Sequence, residues 1–200
     1  MTDKLKSYMQ STVGIGENAW REIASRLIVR RFEKGEVVHR CDDVCGMLYF
    51  IDSGLARAYT IDENGKDYTW SIFFNDENAH PVNLFVVDYD SFVHQVPSRL
   101  EIEVLEDSRM LALTYADFHL LNAHSSAMKD FTQRMTDAAY SYLHNLVIDR
   151  QTKSAAQRFA EFIEHTPHLL EKVPQYHIAT YLSITPQHLS RLKRAYDEPM

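Results

Sequence analysis

Polar and basic side chains recur at helical spacing in the segment TPQHLSRLKR, residues 185–194. Gln187, Arg191 and Arg194 are four and three residues apart, which places their side chains on one face of a helix. In the major groove of DNA, glutamine can pair bidentately with adenine, and arginine with guanine. The residues predicted to contact bases or phosphates are Gln175, Tyr176, Thr185, Gln187, His188, Ser190, Arg191, Lys193 and Arg194.

The apolar residues of the same segment predict the helix-turn-helix that would present these side chains. Ala179 is a small residue where the two helices would approach, and Ser183-Ile184 would form the turn. Thr185 followed by Pro186 is typical of a helix start, because threonine caps the first turn and proline suits its first position. A left-handed backbone at Ser183, where glycine is usual, would cost a little free energy. The inward-facing apolar positions are Ile178, Leu182, Ile184, Leu189 and Leu192.

Charge is unevenly distributed along the 200 residues. Residues 150–195 contain seven Lys or Arg and three acids, a net of +4, so the total of −7 leaves −11 for the remainder. An acidic body with a basic end is typical of a protein that binds nucleic acid through that end. An ordinary helical hairpin with a solvated polar face is the alternative interpretation.

Two other groups of residues could bind a metal or a cofactor. His39, Cys41 and Cys45 lie within seven residues, and His39 and Cys41 would share a face of a strand. These soft ligands could hold a metal, but a fourth ligand is not evident, and free buried cysteine is common. One neutral imidazole would suffice to bind haem, although nothing selects one of the ten histidines. Those in or near the predicted sensor region are His80, His94, His119, His124 and His144.

Several functional classes lack their sequence signals. No nucleophile elbow, P-loop, glycine-rich dinucleotide turn or His-x-His pair occurs, so we expect no catalytic function. Two cysteines make no disulfide framework, which favours a reducing cytoplasm. No run approaches the roughly 20 apolar residues that span a bilayer, and no signal peptide is evident, so we expect a cytoplasmic protein without a membrane partner.

The first half of the chain has the pattern of a short helix followed by strands. Residues 17–28 have the spacing of an amphipathic helix. Asn64-Gly65 predicts a two-residue type I′ hairpin turn, which needs positive φ at both residues. Short strands separated by such turns predict a small barrel or roll. The predicted strands are 36–39, 47–51, 55–61, 67–74 and two within 100–114.

After Thr114 the pattern becomes helical. Residues 115–124 predict a short helix, and Ser125 and Ser126 can cap a long helix that runs to about residue 149. Two apolar stripes indicate that the long helix is buried on two faces, one against the roll and one against a second copy. Burial within a single subunit is the alternative. The stripe assigned to the dimer interface is Phe131, Met135, Ala138 and Tyr142, and the other is Ala139, Leu143 and Leu146.

A further helix at 154–167 completes a division into a β-roll sensor (1–125), a dimerisation helix (126–149) and an all-α domain (150–200). This order resembles the Crp/Fnr family of bacterial transcription regulators. The most specific matches are YFIDSGLARAY at 49–59 and AAQRFAEFI at 155–163, followed by the helix-turn-helix. The resemblance implies an α+β fold with an N-terminal cyclic-nucleotide-binding-type β-roll (jelly roll), homodimerisation through the long helix and a two-fold symmetric DNA site.

The family's effector site departs from its usual pattern in this chain. Residues 87–100 resemble the cassette in which cyclic-nucleotide binders use Gly-Glu for the ribose and Arg-Ser for the phosphate. Val87-Asp88 and Ser98-Arg99 stand in those places, so cyclic AMP in the usual pose is not expected. Asp88, Ser98 and Arg99 could form a polar site for another small anion, and a vestigial loop is the alternative.

The residues after the recognition helix, AYDEPM, are too few for the β-hairpin wing usual in the family. We therefore expect an all-α helix-turn-helix domain lacking a full wing. The sequence is best interpreted as a homodimeric transcription regulator that responds to an unknown effector in the roll and has RNA polymerase as a further implied partner. The alternative is a ligand-sensing or scaffolding module that does not bind DNA.

Overall fold

A computed structural model describes residues 2–76 and 78–197. In this part of the chain an antiparallel six-stranded sheet is flanked by helices at both ends of the sequence. The strands are β1 (Ile28–Phe32), β2 (Val37–His39), β3 (Met47–Ile61), β4 (Asp67–Phe73), β5 (Phe85–Val86) and β6 (Glu101–Thr114). The helices are α1 (Asp3–Val13), α2 (Glu17–Ala24), α3 (Pro81–Leu84), α4 (Tyr89–His94), α5 (Tyr115–His124), α6 (Ser126–Thr152), α7 (Ala155–His165), α8 (Leu169–Lys172), α9 (Gln175–Tyr181) and α10 (Pro186–Asp197).

Two long strands organise the roll. β3 and β6 pair from Met47 opposite Thr114 to Tyr59 opposite Glu101, and the strand order is β1-β6-β3-β4. β2 and β5 add short pairings to β6 and β3. The separate strands predicted at 47–51 and 55–61 are therefore one strand. Its register shifts around residues 51–56, where the turn signal lies.

Gly54 lies inside β3, in close contact with β6. Its φ is +103°, and an added Cβ would lie 2.6 Å from the Cα of Ser108. The Ser108 hydroxyl accepts a hydrogen bond from the backbone N–H of Leu55 at 3.2 Å. A glycine is required here because the backbone conformation and the close approach of β6 both exclude a side chain.

The hairpin between β3 and β4 is present, but its predicted turn type is wrong. Asp62 Oδ1 accepts hydrogen bonds from the backbone N–H groups of Asn64 and Lys66, each at 2.9 Å. Gly65 has a φ of +77°, whereas Asn64 is not in the left-handed region. The aspartate side chain therefore organises a longer loop, because it supplies the acceptors that a two-residue turn would not need.

The predicted helices in the second half are confirmed. α5 covers 115–124 as predicted, and α6 begins after Ser125, whose hydroxyl accepts from the N–H of Met128. α7 is three residues shorter than the predicted 154–167. Four helices were not predicted: α1, α3, α4 and α8. Of these, α3, α4 and α8 are too short to produce a periodic signal.

Three apolar clusters hold these elements together. The first packs α1, α2, α5 and the start of α6 against the roll. The second joins the C-terminal helices to the roll and includes Leu55 and Ile72 from the strands and Phe159 and Ile178 from the helices. The third lies within the roll. The second cluster is shared, and α9 lies directly against β4 of the roll.

Candidate nucleic-acid interface and ligand cleft

The turn between α9 and α10 has the geometry that the sequence predicted. Ser183 adopts the left-handed conformation with a φ of +57°, and Ile184 N–H donates to Ala179 O at 2.9 Å. Ala179 is fully buried, as expected of the small residue between two crossing helices. The left-handed conformation of Ser183 costs a small amount of free energy and allows α10 to turn back across α9.

The start and the inner face of α10 are also as predicted. The Thr185 hydroxyl accepts from the N–H of His188 at 3.2 Å, and Pro186 is the first residue of the helix. Leu189 is fully buried and Leu192 is half-buried against the second cluster. The cap determines where α10 begins, and the two leucines determine which of its faces is buried.

The outer face of α10 gathers most of the predicted DNA contacts. Gln187, Ser190, Arg191 and Arg194 are exposed, and Lys193 is half-buried. His188 is also half-buried, and Thr185 and Gln175 are exposed at the starts of α10 and α9. The cationic side chains of α10, Arg191, Lys193 and Arg194, lie in its last turns. This face therefore offers amide and guanidinium donors beside positive charge, which is the chemistry that reads and holds DNA.

Tyr176 has a second role that the sequence did not indicate. It is 37% exposed, and its hydroxyl donates to the backbone carbonyl of Asp67 in β4 at 3.3 Å. A phosphate contact by Tyr176 would compete with this bond. Tyr176 thus lies at the junction between the helix-turn-helix and the roll.

The helix-turn-helix is held on the free edge of β4. Thr180 in α9 accepts from the backbone N–H of Thr69 at 3.1 Å and lies 3.1 Å from the hydroxyl of Thr69. Beside them, His177 Nδ1 is 3.8 Å from an Asp67 carboxylate oxygen. Burial lowers the pKa of His177, and the Arg57 charge lowers it further, against the opposing effect of Asp67. His177 is therefore neutral in this contact at neutral pH.

Arg57 supports this contact from inside the roll. Its side chain is almost fully buried and forms ion pairs with Asp67 at 2.8 Å and Glu103 at 2.7 Å. It also donates to Thr69 at 3.2 Å and lies over the ring of Tyr59. No sequence pattern indicated this network, because its members come from three strands that only the sheet brings together.

A large cleft of about 730 Å³ lies between the roll, α6 and α9. β4 contributes Trp70, Ser71 and Phe73, while α6 contributes an apolar face. Tyr181 of α9 also lines the cleft, and its hydroxyl is 3.2 Å from that of Tyr142 in α6. The sequence did not identify Tyr181, although it falls three residues after the inward-facing Ile178 and so on a neighbouring part of the same face.

The three residues predicted for a small anion do not form an open polar site. Ser98 donates to the Asp88 carboxylate at 2.6 Å, and both side chains are buried. Asp88 also caps α4 by accepting from the N–H of Ser91. Arg99 is exposed and lines the cleft. Asp88 and Ser98 thus bond to each other and only Arg99 of the three is exposed, so a small-anion site at these residues stays a prediction.

The stripe assigned to the dimer interface is largely occupied within the subunit. Phe131 is 4% exposed and its ring contacts Tyr8 and Phe85. Met135 packs against the first cluster, and Tyr142 bonds to Tyr181. Ala138 is half-buried. Phe131 and Met135 thus pack on the roll within the subunit, and a dimer interface on this stripe stays a prediction.

A different apolar stripe of α6 is accessible. Tyr140 is 70% exposed and Val147 is 53% exposed, while Thr136 and Leu143 are half-buried; all but Val147 also line the cleft. These four positions follow a spacing of four, three and four residues. That spacing aligns side chains along one edge of a helix, as in a two-helix seam.

His39 and Cys45 line one small cavity of the roll, whereas Cys41 lies at the surface. Cys41 is exposed, and its thiol contacts the carbonyl of Ser98 at 3.5 Å. Cys45 is buried, contacts the carbonyl of Met47 at 3.4 Å and has its pKa raised by burial. Burial lowers the pKa of His39. Within residues 2–76 and 78–197, no group of three or more His, Cys, Asp or Glu could hold a metal ion.

Residues 29–124 match the sequence profile of the cyclic nucleotide-binding domain. This segment begins in β1 and ends with α5, so it contains the roll, the cassette and one wall of the cleft. The roll of this chain is therefore similar in sequence to a cyclic nucleotide-binding domain.

Solved structures of similar fold extend this assignment to most of the chain. FixK2 from Bradyrhizobium japonicum shares 15% identity with a TM-score of 0.70, covering 84% of this chain and 83% of that one. A Crp/Fnr-family transcriptional regulator from Eubacterium rectale shares 18% with a TM-score of 0.67, covering 92% and 84%. A CooA mutant from Carboxydothermus hydrogenoformans shares 18% with a TM-score of 0.63, covering 87% and 78%. The chain therefore has the fold of the Crp/Fnr transcription regulators, which confirms the resemblance and the fold class.

A search of curated protein sequences gives no match. Among the helices of the described residues, none combines the length and the apolar character needed to cross a membrane. The expectation about the wing concerns residues 195–200, of which 195–197 belong to α10 and 198–200 lie outside the described residues.

Proposed function

We propose that this chain is a homodimeric, DNA-binding transcription regulator whose roll senses an effector. The observation that carries the proposal is the outer face of α10, where Gln187, Arg191 and Arg194 are exposed on a capped helix held by a buried inner face. This basic face belongs to an otherwise acidic chain. The fold shared with transcriptional regulators supports the same role, in the cytoplasm and without catalysis.

The proposed division of labour follows the order of the chain. Residues 1–125 form the sensor, 126–149 the dimerisation helix and 150–200 the DNA-binding domain. Dimerisation would use the accessible stripe of Thr136, Tyr140, Leu143 and Val147, on which apolar side chains are left for a partner. Two-fold symmetry would then place two α10 helices about 34 Å apart, in successive major grooves of one DNA face.

Arg191→Glu tests the DNA-reading role of α10. A base contact contributes about 1–3 kcal/mol, and a dimer loses two of them, so affinity for the specific site should fall by a factor of about 30 or more. Arg134→Glu is the matched control, because Arg134 is an exposed cation on α6 outside the helix-turn-helix. Its affinity should stay close to that of the wild type in a gel-shift titration at fixed salt.

The specific site itself should come from fragmented genomic DNA, incubated with the purified protein and sequenced after capture at moderate salt. Enrichment of an inverted repeat that Arg191→Glu abolishes supports a dimeric regulator. Steep salt dependence without sequence preference would contradict base reading by Gln187 and Arg191. No retention of DNA at any salt concentration would favour the alternative, a sensing or scaffolding module.

A further inference from the structure

The cleft between the roll, α6 and α9 has the size of a small-molecule site. Its volume of about 730 Å³ lies within the roughly 300–1,000 Å³ of known ligand pockets. A small molecule of ordinary size therefore fits within it.

The walls of the cleft are mainly apolar and aromatic. Phe73 and Trp70 come from β4, Phe85 from β5, and Met135 and Leu146 from α6. Trp70 is 43% exposed although it is large and aromatic. An apolar ligand would remove this surface from water, at about 25 cal/mol of favourable free energy per Å².

The charged groups of the cleft do not match an anionic ligand. Asp88 is already bonded to Ser98, and Asp90 lies 3.6 Å from His94 in an exposed ion pair. Among the described residues that line the cleft, Arg99 is the only Lys or Arg. A phosphate group placed there would meet one guanidinium and two carboxylates, so its desolvation would be poorly compensated.

One end of the cleft carries hydroxyl groups and belongs to the helix-turn-helix. Tyr142 of α6 and Tyr181 of α9 are 3.2 Å apart through their hydroxyls, and the ring of His80 lies 5.0 Å from that of Tyr142. Burial raises the pKa of Tyr181 well above its usual value, so its phenol remains an uncharged donor and acceptor. A hydroxyl or carbonyl of a ligand could bond to this pair.

We infer that the cleft binds an uncharged, largely apolar small molecule that contacts Tyr181 and thereby touches the DNA-binding half directly. The role given to α9 rests on the proposed function, whereas the binding itself does not. β4 provides the second connection, because Trp70 and Phe73 line the cleft while the adjacent Thr69 and Ile72 contact α9 or pack with it. A ligand in the cleft acts on α9 through both walls.

Titration with Nile red, an uncharged polyaromatic dye, tests the binding in the full chain without DNA. We expect saturable fluorescence with one site per chain and no displacement by millimolar cyclic AMP. Ala139→Trp and Ser71→Phe fill the cleft from opposite walls and should each weaken binding at least tenfold. Ser141→Trp is the matched control, because Ser141 is exposed on α6 away from the cleft, and it should bind as the wild type does.

Absence of saturable binding to the wild type, displacement by cyclic AMP, or equal binding to the folded cleft-filling variants would each overturn the inference. Hydrogen exchange then tests the contact with α9. Dye should slow exchange of residues 175–182, and unchanged exchange with the dye bound would refute that contact. DNA binding without dye binding rejects this inference alone. Dye binding by a protein that never retains DNA rejects the proposed function alone.

Discussion

Replacing Thr180 by valine should weaken the attachment of the helix-turn-helix to the roll. The Thr180 hydroxyl accepts from the backbone N–H of Thr69 at 3.1 Å, and the two side chains are only 5% and 2% exposed. β4 pairs with β3 on its other side, so this N–H has no strand partner. Valine keeps the shape of threonine but leaves the N–H buried and unsatisfied.

The expected cost follows from that single lost partner. An unsatisfied buried donor costs about 1–3 kcal/mol, while the Thr69 hydroxyl still accepts from Arg57 at 3.2 Å. We therefore expect a loss of about 2 kcal/mol in the free energy of unfolding. For a chain of this length that corresponds to a fall of about 4–8 °C in Tm.

Urea unfolding of three variants separates this hydrogen bond from general effects of the substitution. Thr180→Ser keeps the hydroxyl and should restore most of the lost stability. Thr152→Val is the control, because Thr152 is exposed and bonds only to the carbonyl of Ile148 in its own helix. It should remain within about 0.5 kcal/mol of the wild type. The reasoning is refuted if Thr180→Val is as stable as the wild type.

Two further predictions concern stability. Gly54→Ala should destabilise the roll by clearly more than Gly65→Ala in urea unfolding, because both have positive φ but only at Gly54 would a Cβ meet Ser108; equal losses would contradict the close approach. His177 has a pKa lowered by burial, so the folded chain binds its proton less readily than the unfolded chain. The neutral His177 side chain therefore makes its full contribution to the stability of the folded chain above about pH 6.5, and this contribution is lost as the pH falls below that value. Stability measured between pH 7 and 5 should fall less in His177→Gln, and an unchanged profile would exclude His177 as its cause.

The sequence by itself determined the features that depend on neighbouring residues. Thr185-Pro186 predicted the start of α10, and Ser125 the start of α6, because a cap needs only the N–H groups of the next turn. The crossing of α9 and α10 at Ala179 followed from one small residue between apolar positions. The polar face of α10 then followed by elimination, since the inner face was already assigned.

Only the tertiary structure decided which surfaces meet over long sequence distances. Phe131 and Tyr142 were assigned to a dimer, but an apolar stripe does not state its partner, and within the subunit Phe131 contacts Phe85 and Tyr142 bonds to Tyr181. Asp88 and Ser98 have the chemistry of an anion site, and only the fold sets them 2.6 Å apart and bonds them to each other. For the same reason, no local sequence pattern indicated the cleft or the position of Tyr181 in it. Each depends on packing between elements that local sequence patterns do not encode.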